Sequence, residues 1–299
     1  MFLDLKVRRR GIWKWKLALL LAAAFPLTTA LGQSLNVTLL GKSFTVGEGP
    51  EKKVVNRLGV TTLIQSGKER LLFDCSDGLR EHIERLNIAP QELNTCFFTR
   101  FDFEGFLPLL FLTGDRKVPL QFWGPPGTKK TLSEGLRRKD WQLTIQIWKT
   151  TTGANLNTKI QDVSKGVAYQ SGDLRVTAFT LNPGQANLVL AYRIDFAGHS
   201  MVLTGNTQYL DQLVQFSQRA DVVVHEVMDS DRSAPDQAAT LFRQVNPKLA
   251  LFTSVAPESA ADLIALTRKA YSGPLEVGED LMTIEIGEHV EFRRPLPKP

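Results

Sequence analysis

Between residues 209 and 271 the chain alternates between two periods. Residues 209–219, 235–245 and 258–271 carry apolar side chains at helical spacing. Between them lie two short apolar runs, 221–224 and 249–253, of strand length. A strand–helix alternation of this kind restricts the chain to an α/β architecture with helices laid over a sheet.

The first two thirds read as mixed strands. Residues 35–40 (LNVTLL) alternate apolar and polar as a first strand, and 41–56, with Gly, Pro and charge, reads as a loop. Residues 60–64 and 70–75 form a hairpin about Ser66-Gly67. A helix over 79–86 puts Leu79, Ile83 and Leu86 on one face, and 96–99 is a short buried strand. A helix is expected over 106–111 and a strand over 120–123, stopped by Gly124-Pro125-Pro126-Gly127. A polar helix runs from Thr128 towards Arg138, and further strand-like runs fall at 143–148, 174–181, 188–196 and 200–204. Two sets of mixed strands, each leading into helices, predict two packed mixed sheets with helices outside. The 299-residue length and 43% hydrophobic content suit a single domain over 33–299.

The formal charge of +5 is confined to the N-terminus. Residues 1–32 hold Lys6, Arg8, Arg9, Arg10, Lys14 and Lys16 against Asp4, so the remaining 30 basic and 30 acidic side chains cancel. A phosphate-backbone binder would carry a basic patch on its body, so no nucleic-acid partner is expected. The same 32 residues have the layout of an export leader: a basic segment, an apolar run over 17–25, Pro26, then Ala30-Leu31-Gly32 before Gln33. The run falls short of the roughly 20 residues of a spanning helix, so cleavage is favoured over N-terminal anchoring. Arg9-Arg10-Gly11-Ile12-Trp13-Lys14 resembles the twin-arginine export pattern, with Arg8 where Ser or Thr is usual. The expected destination is periplasmic or secreted, with no membrane contact beyond an uncleaved leader. Only Cys75 and Cys96 are present. They fall out of step on neighbouring strands, beyond disulfide reach, and are expected as two buried free thiols.

One ordered series of motifs carries more than the pattern. It runs Leu39-Leu40-Gly41, Leu71-Leu72-Phe73-Asp74-Cys75, the stretch Thr99-Arg100-Phe101-Asp102-Phe103-Glu104-Gly105, Phe122-Trp123-Gly124-Pro125-Pro126-Gly127-Thr128, Leu203-Thr204-Gly205-Asn206-Thr207, Val224-His225-Glu226-Val227, and Val277-Gly278-Glu279-Asp280-Leu281. In this order the series resembles the metallo-β-lactamase superfamily, in its ribonuclease Z and arylsulfatase-like branch. The resemblance implies a four-layer αββα sandwich. It also implies a dinuclear zinc site built by a T-H-x-H-x-D-H motif, with a later His, a bridging Asp and a final His.

The frame is kept and the implied ligands are not. Arg100, Asp102, Glu104 and Gly105 stand at the motif's ligand positions, Asn182 at the later His, Asn206 at the bridging Asp and Ser254 at the final His. Arg100 has no lone pair and Gly105 no side chain, so no metal cofactor is expected. Residues 100, 102 and 104, if extended, share one side, so Arg100 could pair with Asp102 or Glu104 and fill the vacated pocket. Asp74, which the resemblance places behind the metal loop, is expected to accept loop N–H groups. Gly124, Gly127 and Gly205 read as backbone devices, outside any nucleotide-binding spacing.

Two functions follow. The leading one is a pseudoenzyme, a binding or regulatory protein for a small molecule or protein partner. The alternative is a hydrolase of an ester, phosphoester or sulfate ester with a non-standard site. That site would use Asp102 and Glu104, or Ser254 as nucleophile with His225 as base and Glu226 or Asp229 as its orienter. A histidine just past a buried strand is also commonly structural.

Overall fold

The apolar alternation of the first strand sorts its side chains between two cores. Leu35, Val37 and Leu39 of β1 (Leu35–Val46) face one, and Leu40 the other. The computed structural model describes residues 33–46, 53–75, 78–100, 112, 116–135, 142, 146, 157–181, 188–227 and 234–295. Residues 1–32, expected as an export leader, and residues 106–111, where a helix was expected, lie outside these.

β1 pairs with β2 (Lys53–Ser66), which turns at Gly67 into β3 (Glu69–Phe73). β4 (Thr95–Phe97), β5 (Leu120–Gly124) and β6 (Thr158–Asp162) add in parallel to β3. β7 (Lys165–Ser171), β8 (Leu174–Thr180), β9 (Leu190–Phe196) and β10 (His199–Leu203) form an antiparallel meander. β11 (Val222–Glu226), β12 (Leu249–Thr253) and β13 (Leu275–Val277) extend it in parallel. β14 (Thr283–Ile286) and β15 (Val290–Arg293) return to the far side of β1. The result is an eight-stranded sheet, β15-β14-β1-β2-β3-β4-β5-β6, and a seven-stranded one, β13-β12-β11-β10-β9-β8-β7.

Helices cover both outer faces. α1 (Leu79–Arg85) and α2 (Thr128–Gly135) lie on the first sheet; Leu79, Ile83 and Leu132 pack with Leu72, Cys96 and Phe122. α3 (Asp211–Ser217), α4 (Ala234–Val245) and α5 (Ala260–Thr267) cover the second, where Leu213, Phe242 and Leu263 meet Val223 and Phe252. Between the sheets lies a third core holding Phe73, Phe97, Trp123 and Tyr192. Phe97 stacks on Phe73 at 4.7 Å and on Trp123 at 5.3 Å between ring centres, so truncating it to Ala would cost about 3–5 kcal/mol. This is the four-layer αββα sandwich, and no helix of the described residues is long and apolar enough to cross a membrane.

Several elements differ from the sequence expectation. Part of the expected loop 41–56 is ribbon, since β1 and β2 stay paired out to Val46 and Lys53 around a bulge between Leu40 and Lys42. Gly and charge marked a bulge there rather than the end of the strand. Gln142 and Gln146 are helical, inside and beside the strand expected at 143–148; the residues between them lie outside the described ones. The segment 258–271 divides into a 3₁₀ turn at Pro257–Ser259 and the α-helix Ala260–Thr267. β6 (TKIQD) and β7 (KGVAYQS) are polar, exposed edge strands without the apolar signal that marks an interior one. Cys75 and Cys96 are free and buried, and Cys96 pairs with Leu72, out of step with Cys75. The side chains nevertheless meet: burial first, then a hydrogen bond with Cys96, pushes the Cys75 thiol well above its usual value.

Candidate functional site

Asp74 ends β3 in the left-handed backbone region, at φ 51°, a conformation that Asp tolerates better than most residues. The turn aims its carboxylate across to the end of β4, where Oδ1 accepts the Thr99 N–H at 2.8 Å. Thr99 is held from the other sheet too: its carbonyl accepts the Leu190 N–H at 2.6 Å, while the Tyr192 hydroxyl donates to the Phe98 carbonyl at 2.9 Å. Gly205, at φ 62°, passes so close that a Cβ there would stand 3.1 Å from the Thr99 Cβ. The chain is thus clamped at the residue before Arg100.

The second wall comes from β11. Its period of two sends Val222 and Val224 into the inter-sheet core and Val223 to the helix side, so Glu226 follows the first pair and His225 the second. Glu226 is 7% exposed, and its Oε1 lies 3.6 Å from Arg100 Nη2. Asp74, Glu226, Thr62, Thr99, Gly205 and Thr253 line a cavity of about 20 Å³, room for a single water.

Two carboxyls in so small a space are poorly solvated. Burial, then the neighbouring Glu226, raises Asp74 to about 7 against the pull of Thr99 and Arg100. Burial also raises Glu226, with the Arg100 guanidinium opposing it. Both carboxyls are therefore biased towards their neutral forms, and among the described residues the cation that opposes this is Arg100.

Arg100, Asn206 and Ser254 each follow a residue that lines this cavity, namely Thr99, Gly205 and Thr253, so three of the seven substituted positions stand around one mouth. Asp102, Glu104, Gly105 and Asn182 lie outside the described residues, as does Asp229. Among the described residues Arg100 pairs with Glu226, a contact that spacing along the chain does not show because it joins different sheets.

His225 and Glu226 are neighbours in sequence and face opposite ways. His225 is 3% exposed, and its ring meets Phe242 and Phe252 edge-on, each at 6.2 Å. Its Nδ1 is 2.8 Å from Thr204 Oγ1, whose hydroxyl donates to the Gly205 carbonyl at 2.8 Å, which puts the imidazole proton on Nδ1. Ser254, half-buried at φ 62°, makes no hydrogen bond to a described residue. The strand period separates His225 from Glu226 on opposite faces, and the described residues do not bring Ser254, His225 and Glu226 together as a relay. The alternation in VVVHE was the signal that could have shown this from sequence.

A second polar node also went unread. Asp280 Oδ1 accepts from Gly41 N at 2.8 Å and from His82 Nε2 at 2.6 Å, while His82 Nδ1 faces the Gly78 carbonyl. Both ring nitrogens meet acceptors, so His82 is an imidazolium. Burial works against that charge, but the hydrogen bonds to Asp280 and Gly78 outweigh it and raise its pKa. Gly41 is required here, since a Cβ would lie 2.8 Å from that of Asp280.

The donor chemistry at the described positions does not suit a dinuclear zinc centre. Arg100 offers no lone pair, Asn206 and Ser254 offer only neutral oxygens, and no three His, Cys, Asp or Glu side chains among the described residues gather around a common point.

Residues 69–253 match the family model described as the beta-lactamase superfamily domain. Ribonuclease Z of Mycobacterium sp. (strain KMS) is 24% identical over 280 residues, covering 84% of this chain and 96% of that protein. Ribonuclease Z of Mycobacterium tuberculosis (strain H37Rv) is 23% identical over 278 residues, covering 84% of this chain and 98% of its own length. Among solved structures, the metallo-beta-lactamase fold protein YhfI from Bacillus subtilis superposes with a TM-score of 0.64 at 17% identity, over 85% of this chain and 99% of that one. Human tRNase Z, short form, gives 0.56 at 16% identity, over 83% and 98%. The frame around the altered site is therefore an inherited one: the chain belongs to the β-lactamase superfamily, in its ribonuclease Z-like branch.

Proposed function

We propose that this protein is an exported member of its family that has given up dinuclear metal hydrolysis and acts as a binding or regulatory protein for a small molecule or protein partner. The observation that carries the reading is the Arg100–Glu226 pair. A guanidinium stands at the first ligand position, held to a carboxylate on the opposite wall. A fixed positive charge there opposes a divalent metal and partly neutralises the two buried carboxyls that a metal would need. The balanced charge of residues 33–299 supports a partner other than nucleic acid, since a phosphate-backbone binder carries an excess of basic residues. The leader supports export, with Gln33 as the expected mature N-terminus.

The test is metal analysis of untagged protein together with a panel of ester, phosphodiester and sulfate-ester substrates. Absence of stoichiometric metal and of turnover is expected. Stoichiometric zinc with metal-dependent turnover would overturn the reading, and metal-free turnover abolished by Ser254→Ala would replace it with the hydrolase. Mass spectrometry of exported protein checks the Gln33 terminus.

A further inference from the structure

The strands that deliver Glu226 and Thr253 to the site begin at the other end of the second sheet. That end carries a larger concavity, roughly 15 Å away by the length of β10. Ala197 and Gly198, both left-handed at φ 49° and 86°, close the tight turn from β9 to β10. Beside this turn is a cavity of about 460 Å³, within the size range of small-molecule sites, whose charged lining is Arg175, Arg193, Arg219, His199, Asp173 and Asp195.

The three guanidiniums differ in what they are free to do. Arg193 is spent on structure. Its Nε donates to Asp195 at 2.9 Å, one Nη to the Gln218 carbonyl at 2.8 Å and the other to Ser200 Oγ at 3.0 Å, which fixes it against the C-terminal turn of α3. That contact takes Asp195 Oδ1, and Arg175 stands 3.8 Å from the other oxygen, Oδ2. Arg219 is exposed, and its side chain makes no ion pair or hydrogen bond to a described residue. Its backbone is nonetheless held in the left-handed region at φ 61° by Ser200 Oγ, which donates to its carbonyl at 3.2 Å. That conformation costs a non-glycine residue about 1–2 kcal/mol, and here it sets the side chain at the cavity. Asp221, beside His199, is already satisfied by Lys248 at 2.9 Å and the Ser200 N–H at 2.8 Å.

We propose that this cavity is a second ligand site, for a small molecule bearing a phosphate or sulfate group, with Arg175 and Arg219 as the anion-binding pair and Arg193 as their fixed floor. Guanidinium forks match the oxygens of such groups two at a time, and here one fork, Arg219, has no carboxylate partner among the described residues and the other, Arg175, is held only loosely by Asp195 at 3.8 Å. Asp173, exposed on the rim, opposes the ligand and so supplies a second test.

The experiment is calorimetric titration of the full mature protein with inorganic phosphate and, separately, sulfate, at an ionic strength held constant with chloride. Saturable one-to-one binding is expected. Arg175→Ala and Arg219→Asn, the latter chosen because Asn tolerates left-handed backbone, should each weaken it by about 10-fold or more, and Asp173→Asn should tighten it. Arg80→Ala, on the exposed face of α1, should change nothing. Both test arginines are exposed, so the fold should survive their loss, and unchanged thermal melting verifies it. Absence of saturable binding by the wild type, or binding retained by the Arg175→Ala/Arg219→Asn double variant, overturns the site.

Discussion

Two polar nodes, each built from motifs that identify the family, end in opposite electrostatic states. At the node joining β1, α1 and the start of β14, burial pushes the Asp280 carboxyl up, but hydrogen bonds from His82 and Gly41 outweigh it and hold the group below the ordinary range. At the mouth between the sheets Asp74 rises to about 7 and Glu226 rises with it, and their shared cation is a half-exposed Arg100 at 3.6 Å. The first node stabilises a seam of the frame. The second leaves two buried carboxyls with one half-exposed cation among the described residues, the arrangement on which the proposed loss of metal chemistry rests. The difference separates a node that holds the fold from one that leaves its carboxyls poorly paired, and three measurements can break it.

The largest effect should appear in the pH dependence of stability. Asp74 keeps its proton in the folded protein up to about 7, whereas the unfolded chain releases it near 3.8. Its contribution is therefore full at acidic pH and is lost as pH rises between those values. Chemical denaturation should show the wild type losing about 3 kcal/mol more than Asp74→Asn between about pH 5 and pH 8. His82 drifts in the same direction, but it is common to both proteins and cancels. Equal slopes would mean that Asp74 is as well paired as Asp280.

Asp280→Ala should have the next largest effect, and its loss should shrink as pH rises above the ordinary histidine value, because the contact with Asp280 is what raises the His82 pKa. The substitution strands the His82 imidazolium and the Gly41 N–H together. The loss should be about 2–3 kcal/mol, below that of a fully buried pair because the Asp280 side chain is 33% exposed. A loss under about 0.5 kcal/mol would place this node among ordinary surface pairs.

How far the sequence carried differs between these nodes for a physical reason. Leu39-Leu40-Gly41 and Val277-Gly278-Glu279-Asp280-Leu281 were readable as frame only through the ordered series that resembles the family, and the contact of Asp280 with His82 spans 198 positions and leaves no periodic trace. Asp74 was readable as a loop brace, and its carboxylate does accept the Thr99 N–H. Asp102 and Glu104, the expected partners of Arg100, lie outside the described residues, while Glu226 reaches Arg100 from the opposite sheet. Local spacing reports which face a residue takes on its own strand. It does not report which strand of another sheet ends beside it.

Arg100→Ala is the smallest and sharpest test. The side chain is 40% exposed, so solvent screens its attraction for Glu226, and the pair is worth about 1 kcal/mol rather than the several of a buried bridge. That contribution exists only while the two carboxyls carry charge. Denaturation should therefore show the variant weaker than wild type by about 1 kcal/mol near pH 8 and by less near pH 5, where Asp74 holds its proton, with Arg100→Lys in between. A loss equal at both pH values would make Arg100 a packing residue. No loss at either would make it a solvated loop charge, and the vacated site would then have no cation of its own.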